Sequence, residues 1–330
     1  MVNSGMLFLW CYDGQWWQQV VLRLIFFCLF ALGCSSPQQK KVLFTEVIDG
    51  QKVQVVDEKG IRGLYFGTAL QSRMFLNDKN YGKGDYPDYY HLAKVLNPNL
   101  RSVFEIGMGG GTLAKAFLKE YPSIQYTSVE IDGLTARLAR DYFHLKNLKR
   151  HNIIVADGRS ALEADKSSYG AIFIDAYMPF GNRTYIPSHL VTKEFFQMVK
   201  RHLNPDGILM INVVDSRPEV SQVLVSKVSH TINSVFPQVF HIRTSYRNQR
   251  IIVGSPGFKD HKTLFEKRAL ELQSGNTILS YATLLKNMEP WQSKNGEVFV
   301  DRQFPKEPQP LTKQILIPTS NGSDQSFPAE

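Results

Sequence analysis

Apolar and polar residues alternate where the body of the chain begins. In "LFTEVIDGQKVQVVDEKGIRGLYFG" (Leu43–Gly67) they trade places over short runs. Asp49-Gly50 and Lys59-Gly60 are turn dipeptides, so Leu43–Phe66 is predicted to be a small antiparallel β unit. From Ser102 the rhythm changes. Apolar runs at Val103–Ile106, Tyr126–Ile131, Ile153–Ala156, Ala171–Ile174 and Ile208–Val214 read as strands. Helices are predicted between them, over Thr112–Tyr121, Leu134–Leu145, Thr192–Leu203 and Ser221–Phe236. Leu134, Leu138, Tyr142 and Leu145 share one face of the second, and Thr192 suits the N-cap of the third. Pro122 and Pro237 stop the first and the last. Asn204-Pro205-Asp206-Gly207 is a turn, and "HIRTSYRNQRIIVGS" reads as two strands around Arg247-Asn248. Repeated β-α units imply a mostly parallel α/β sheet with helices on both faces and an antiparallel closing pair at its edge.

Composition refines this picture. The chain has 330 residues, 43% of them hydrophobic, enough for a substantial core. Its net charge of +8 is scattered, with no basic stripe interleaved with aromatics, so nucleic acid is not an expected partner. The three cysteines, Cys11, Cys28 and Cys34, all precede the body, which excludes disulfides and cysteine-based zinc sites there. No HExxH or other His-rich metal pattern occurs, and no metal is expected. The expected organisation is a leader over 1–41, a small β domain over 42–75, a nucleoside-binding domain over 76–256, a helical or loop extension over 257–311 and a disordered tail over 312–330.

The leader reads as an address. Arg23 precedes an apolar run from Leu24 to Leu32, then Gly33-Cys34 and a polar stretch. The run falls short of the ~20 residues that span a bilayer and has the size of a signal-peptide core. Gly33-Cys34 resembles a bacterial lipobox, which would make Cys34 the lipidated residue and the membrane a partner. A plain uncleaved anchor is the alternative. Residues 1–19 make a poor start of such a leader, since they hold Asp13 and neither Lys nor Arg. A true start near Val20 or Val21 is the other alternative, and a misassigned start would leave the protein cytoplasmic.

The chemistry concentrates in "VFEIGMGGGTLAKAF" (Val103–Phe117). A strand ends at Gly107, and Gly107, Gly109 and Gly111 form G-x-G-x-G before a helix. Such glycines allow close backbone approach, and the helix start offers N–H groups. Alone this is weak, because tight turns need glycine anyway. Glu130 ends the second strand, where a carboxylate accepts from both ribose hydroxyls of a nucleoside. Asp157 ends the third, within reach of an adenine amino group, and Asp175 ends the fourth. Each acid alone reads as a solvated strand end, a helix cap or a loop-closing residue. The ordered set on one sheet edge points to a nucleoside ligand.

The order of motifs resembles the class I S-adenosylmethionine-dependent methyltransferases. It is more closely similar to the spermidine synthase (polyamine aminopropyltransferase) family and its bacterial synthase-like members. The resemblance rests on "RGLYFGTALQS", "VFEIGMGGGTL", "SVEID", "VADGRSAL", "FIDAYMPFGNRTYIPSHLVTKEFF", "LNPDGILMINV" and "GEVFVDRQFPKE". It covers about Val42 to Phe304 and implies a Rossmann-like class I methyltransferase sheet with a small N-terminal β unit. It also implies that Gly107, Gly109 and Glu130 hold S-adenosylmethionine or its decarboxylated form, with Asp157 and Gly158 at the adenine. Asp175 takes the catalytic position. Gln71 and a tyrosine among Tyr86, Tyr89 and Tyr90 cover the acceptor pocket, with Tyr177 also expected at the substrate. A homodimer is among the expected assemblies.

Two departures stand out. The family's G-G-G-D-G-G is Gly107-Met108-Gly109-Gly110-Gly111 here, without the aspartate that grips the aminopropyl ammonium. Its D-S/T-S/T-D-P is Asp175-Ala176-Tyr177-Met178-Pro179, with Met178 in place of the second aspartate. Three readings remain. One is aminopropyl transfer to an amine. Another is methyl transfer from S-adenosylmethionine. The last is a non-catalytic lipoprotein that keeps the fold to bind a nucleoside or a partner, since an exported enzyme would lack its cosubstrate. Met108 and Met178 are expected as wall residues, and His91, His144 and His202 as surface or cap groups.

Overall fold

The computed structural model describes residues 40–304, apart from 49, 78–85, 147, 181–182, 216, 258–261, 274–279 and 293–295. The leader up to residue 39, with Cys34, and the predicted tail over 312–330 lie outside the described residues.

Four strands open the described chain: β1 (Lys41–Ile48), β2 (Gln51–Glu58), β3 (Ile61–Phe66) and β4 (Ala69–Phe75). They pair antiparallel in chain order. The β unit predicted to end at Phe66 therefore gains a fourth strand. Val53, Val55, Leu64 and Met74 turn inward onto Leu138 and Phe143. Register shifts between Leu64 and Tyr65, leaving Gln71 as the extra residue of a β-bulge on β4. Arg62 fixes the sheet to the body: it grips Asp57 with both carboxylate oxygens and donates to the Tyr142 carbonyl at 2.6 Å.

A 3-10 turn over Tyr86–His91 leads into α1 (Leu92–Leu96). Alternating elements follow: β5 (Ser102–Ile106), α2 (Thr112–Glu120), β6 (Gln125–Glu130), α3 (Gly133–Asp141), β7 (His151–Val155), α4 (Gly158–Ala164) and β8 (Tyr169–Ile174). A small hairpin, β9 (Met178–Phe180) and β10 (Arg183–Tyr185), interrupts them. Then come α5 (Lys193–Arg201), β11 (Leu203–Val214), α6 (Pro218–Asn233), β12 (Gln238–Arg243) and β13 (Gln249–Ser255). The extension supplies α7 (Lys262–Gln273), α8 (Tyr281–Leu285) and β14 (Met288–Pro290).

The large sheet runs β14-β12-β13-β11-β8-β5-β6-β7, with β11, β8, β5, β6 and β7 parallel. The chain leaves β5 toward β6 and β7, then returns to the other side at β8. This reversal opens a crevice at the strands' C-terminal ends. β8 is buried along its whole length, as a strand covered on both faces must be. One core holds Tyr90, Phe117 and Phe173, and the other Phe104, Phe195, Phe196 and Phe236. Each fully buried phenyl ring contributes on the order of 1.5–3 kcal/mol.

Several boundaries differ from the prediction for local reasons. α3 stops at Asp141, not Leu145. His144 then adopts a left-handed φ of 58°, and Leu145 folds back into the core. α6 starts at Pro218, a residue suited to a first helical position. β11 begins at Leu203, and the predicted turn appears as a register break between Leu203 and Ile208. The short α4 had no prediction. His91 is a correction. It is buried, stacks on Phe117 at 4.5 Å and bonds Tyr121 Oη at 2.9 Å, so it is no surface group. Burial pushes its imidazole down to about 3. His202 does act as a cap, with Nδ1 on the Met198 carbonyl at 3.0 Å, and His144 is exposed.

Candidate active site

A cavity of about 920 Å³ lies at the C-terminal ends of β5, β6, β7 and β8, walled on one side by β4. Gln71, Tyr86, Gly107, Gly109 and Glu130 line it, as do Asp157, Gly158, Asp175 and Tyr177. Met108 and Met178 are also in its wall, as expected. Gly111 is not in the lining. It forms the N-cap of α2, packed under Leu145.

The glycine turn is built for backbone contact. Gly107 has φ 91°, and a Cβ there would meet the Asp175 carbonyl oxygen at 2.4 Å. The ends of β5 and β8 thus approach closely only because this residue lacks a side chain. Gly109 N–H donates to Glu130 Oε2 at 2.9 Å, and Gly110 N–H to Ser72 Oγ at 3.1 Å. The second bond ties the turn to β4.

Glu130 is 8% exposed. Burial pushes its carboxyl up, and the N–H groups of Gly109 and Asp132 act in the opposite direction. Oε1 accepts from Asp132 N–H at 3.2 Å. Each carboxylate oxygen keeps a lone pair for a second donor.

Asp157 departs from a simple adenine contact. Its Oδ1 caps α4 by accepting from Ser160 N–H at 2.9 Å, and its Oδ2 faces His189 Nε2 at 2.7 Å. Burial pushes the carboxyl up, but the bonds from His189 and Ser160 outweigh it and hold Asp157 well below the usual range. His189 also lines the cavity, with a buried Nδ1 that has no partner among the described residues. Behind it, Arg159 donates to the His189 carbonyl at 3.2 Å and grips Asp301 with two bonds. "GEVFVDRQF" thus braces the loop that carries His189.

Asp175 accepts from Tyr86 and Asn212. Tyr86 Oη donates to Oδ2 at 2.8 Å and Asn212 Nδ2 to Oδ1 at 2.8 Å. Asn212 Oδ1 accepts from Gln249 Nε2 at 2.9 Å, and Gln249 Oε1 accepts from Thr244 Oγ1 at 2.9 Å. A chain of side chains thus crosses the sheet and fixes the carboxylate. Of the candidate tyrosines, Tyr86 reaches the carboxylate. Tyr90 donates to the Ile174 carbonyl at 3.2 Å, and Tyr89 accepts from Asn287. Tyr177 Oη accepts from Val214 N–H at 2.9 Å and donates to the Asn212 carbonyl at 3.0 Å. Burial raises its phenol well above the usual value, so it is a neutral wall residue.

Sequence reasoning missed His189, Asn212, Gln249 and Glu105. A lone polar residue inside an apolar run, as in "ILMINVV" and "VFEI", was the available signal for Asn212 and Glu105. Glu105 lines the cavity, 1% exposed, with Ser128 Oγ at 2.8 Å. Burial raises its carboxyl well above the usual range and holds it neutral.

Comparison with known proteins places this geometry. Residues 88–253 match the spermine/spermidine synthase domain. A probable polyamine aminopropyl transferase of Bifidobacterium longum is 32% identical over 208 residues, 62% of this chain and 40% of that protein. The chain therefore spans less than half of that relative. A polyamine aminopropyltransferase of Vibrio vulnificus is 31% identical over 234 residues, 65% of this chain and 73% of that protein. Among solved structures, a spermidine synthase from Thermotoga maritima superposes with a TM-score of 0.58 at 20% identity, over 75% of this chain and 84% of that one. A spermidine synthase in complex with the transition state analogue AdoDATO gives the same TM-score and identity, over 75% of this chain and 83% of that one. The α/β fold is that of these enzymes. With the matched domain covering half of its length, this chain belongs to the spermine/spermidine synthase family.

Proposed function

We propose that the protein is an aminopropyltransferase of the polyamine-synthesis type, using decarboxylated S-adenosylmethionine and an amine. The observation that carries this is Asp175, held by Tyr86 and Asn212 in the same cavity as the glycine turn and Glu130. Glu130 takes the ribose hydroxyls. The dyad of Asp157 and His189 bounds the adenine end. The amine nitrogen attacks the carbon beside the sulfonium, forming a C–N bond as the C–S bond breaks. The electron pair stays on sulfur, giving methylthioadenosine. Asp175 takes the proton that the amine loses. The rest of the cavity contributes in-line positioning. Methyl transfer and non-catalytic binding are not favoured, because the relatives described above are named as aminopropyltransferases.

The test is release of methylthioadenosine from decarboxylated S-adenosylmethionine in the presence of amines. Release with S-adenosylhomocysteine as the product of intact S-adenosylmethionine would instead establish methyl transfer. Failure to bind either sulfonium nucleoside by calorimetry would remove both enzyme readings.

Glu130→Gln provides a second check. Its charge-assisted bonds to ribose become neutral, a loss of ~1.5–3 kcal/mol. The expected result is roughly 10- to 100-fold weaker binding of methylthioadenosine by calorimetry. Unchanged affinity would take Glu130 out of the nucleoside site.

A further inference from the structure

We propose that Thr244 and Gln249 are positioning residues for the reaction: they fix which way the Asn212 amide faces, and so hold Asp175 as a proton acceptor. This rests on the aminopropyl-transfer reading above and deepens it, from the base to the groups that orient the base.

An aspartate sets the plane of its own carboxylate poorly. Its last torsion is soft, with broad wells in place of sharp staggered ones. Donors on the two oxygens must therefore set that plane. At Asp175 these include Tyr86 on Oδ2 and Asn212 on Oδ1, both at 2.8 Å. The Asn212 amide turns as freely about its own last bond. It can present either its NH2 group or its carbonyl oxygen, and only the NH2 group suits a carboxylate.

β13 removes that freedom. Asn212 of β11 lies opposite Ile251, and Gln249 stands two residues before Ile251 on the same face. From this diagonal place Gln249 Nε2 donates to Asn212 Oδ1 at 2.9 Å. The Asn212 oxygen is thereby turned away from Asp175, and its NH2 group toward it. Gln249 is held in the same manner. Its Oε1 accepts from Thr244 Oγ1 at 2.9 Å, and the contact of that hydroxyl with the Tyr246 carbonyl is longer, 3.3 Å. Thr244 Oγ1 in turn accepts from the Tyr246 N–H at 3.2 Å. The donors thus point one way, from a backbone amide to the catalytic carboxylate. Reversal would set the Asn212 oxygen against the Asp175 carboxylate. Asn212 is 3% exposed and Gln249 4%. Water has little access there to replace a lost partner, so a broken bond loosens each group after it.

Two substitutions break this chain in different places. Gln249 lines the cavity, and its backbone N–H donates to the Tyr246 carbonyl at 3.1 Å. Gln249→Met removes the side-chain amide and keeps that turn. Thr244 lies outside the cavity lining. Thr244→Val keeps the lining and removes the hydroxyl. The loss common to both is the orientation of Asn212.

The test measures methylthioadenosine release from decarboxylated S-adenosylmethionine by the full chain, with putrescine and with cadaverine. Each variant is expected to lower kcat by roughly 5- to 100-fold, the effect of one buried polar group left unpaired. The KM for the amine and the calorimetric affinity for methylthioadenosine should stay within about threefold. Thr244→Ser keeps the hydroxyl and should return kcat to within about twofold of the wild type. A residue that served the fold alone would lower the melting temperature and leave kcat as it is. Unchanged kcat in either variant overturns the proposal and leaves aminopropyl transfer standing. A Thr244→Ser variant as slow as Thr244→Val does the same. If Gln249→Met fails to fold, the Thr244 pair decides alone. No release by the wild type with either amine overturns both readings.

Discussion

Changing Asp175 to Asn should lower turnover by about 10²- to 10⁴-fold while nucleoside affinity stays within a few-fold. The magnitude is that of removing a general base positioned in the transition state. Asparagine preserves the volume and can still accept from Tyr86 Oη and, through its one oxygen, hold part of the network. It cannot take a proton from an ammonium. Gly109 and Glu130, proposed above to hold the nucleoside, belong to other strand ends, so the bond between them survives. Single-turnover kinetics would measure the loss, and calorimetry with methylthioadenosine would measure the retained binding. Full turnover in the variant would reduce Asp175 to a loop-closing residue. Lost binding together with lost turnover would show that the substitution had disturbed the glycine turn, which packs on the Asp175 carbonyl.

The second large effect is acid lability. Burial pushes His91 down to about 3, and His151 and His241 to about 4. All three are neutral in the folded protein near neutral pH, whereas unfolded histidine titrates near 6.5. Their folded values are depressed, so their contribution is complete above ~6.5 and is lost as pH falls toward 4 and 3. Each removes ~1.4 kcal/mol of stability per pH unit over most of that window. Glu105 and Glu130 oppose them, because their raised carboxyls favour the folded state as pH falls. The three histidines outnumber these two carboxyls, so stability falls overall as pH drops from about 6 toward 4. Denaturant titrations across this range should show it, and His91→Phe should flatten it by about one proton. An identical slope in that variant would mean that His91 is not buried neutral.

The elements carried by local signals were legible from the residues alone. Glycine at 107 and 109, the acids at 130, 157 and 175 and the prolines after the helices act within a few positions of themselves. Their spacing alone therefore suggests a parallel sheet with a crevice. What stayed hidden depends on distant partners. His189 sits in an ordinary loop until the fold sets it 2.7 Å from Asp157. Gln249 reaches Asn212 only because the antiparallel β13 packs beside β11. His91 lies in a polar-looking stretch, and the cores of α1 and α2 close over it. The seven residues of α4 are too few for a period to emerge.

The small sheet has a consequence for how such proteins can diversify. Gln71, Ser72, Arg73 and Tyr86 all precede residue 88, where the matched synthase domain begins. The part of the cavity wall supplied by β4 and the turn at Tyr86 is thus encoded apart from the glycine turn and the strand ends of β6, β7 and β8. Exchange of residues 41–75 between relatives would change the β4 part of that wall and leave Tyr86 and the strand ends as they are. Ser72 on Gly110, Arg62 on Tyr142, Arg73 on Tyr246 and Glu46 on Arg137 are among the seams that such a graft must match.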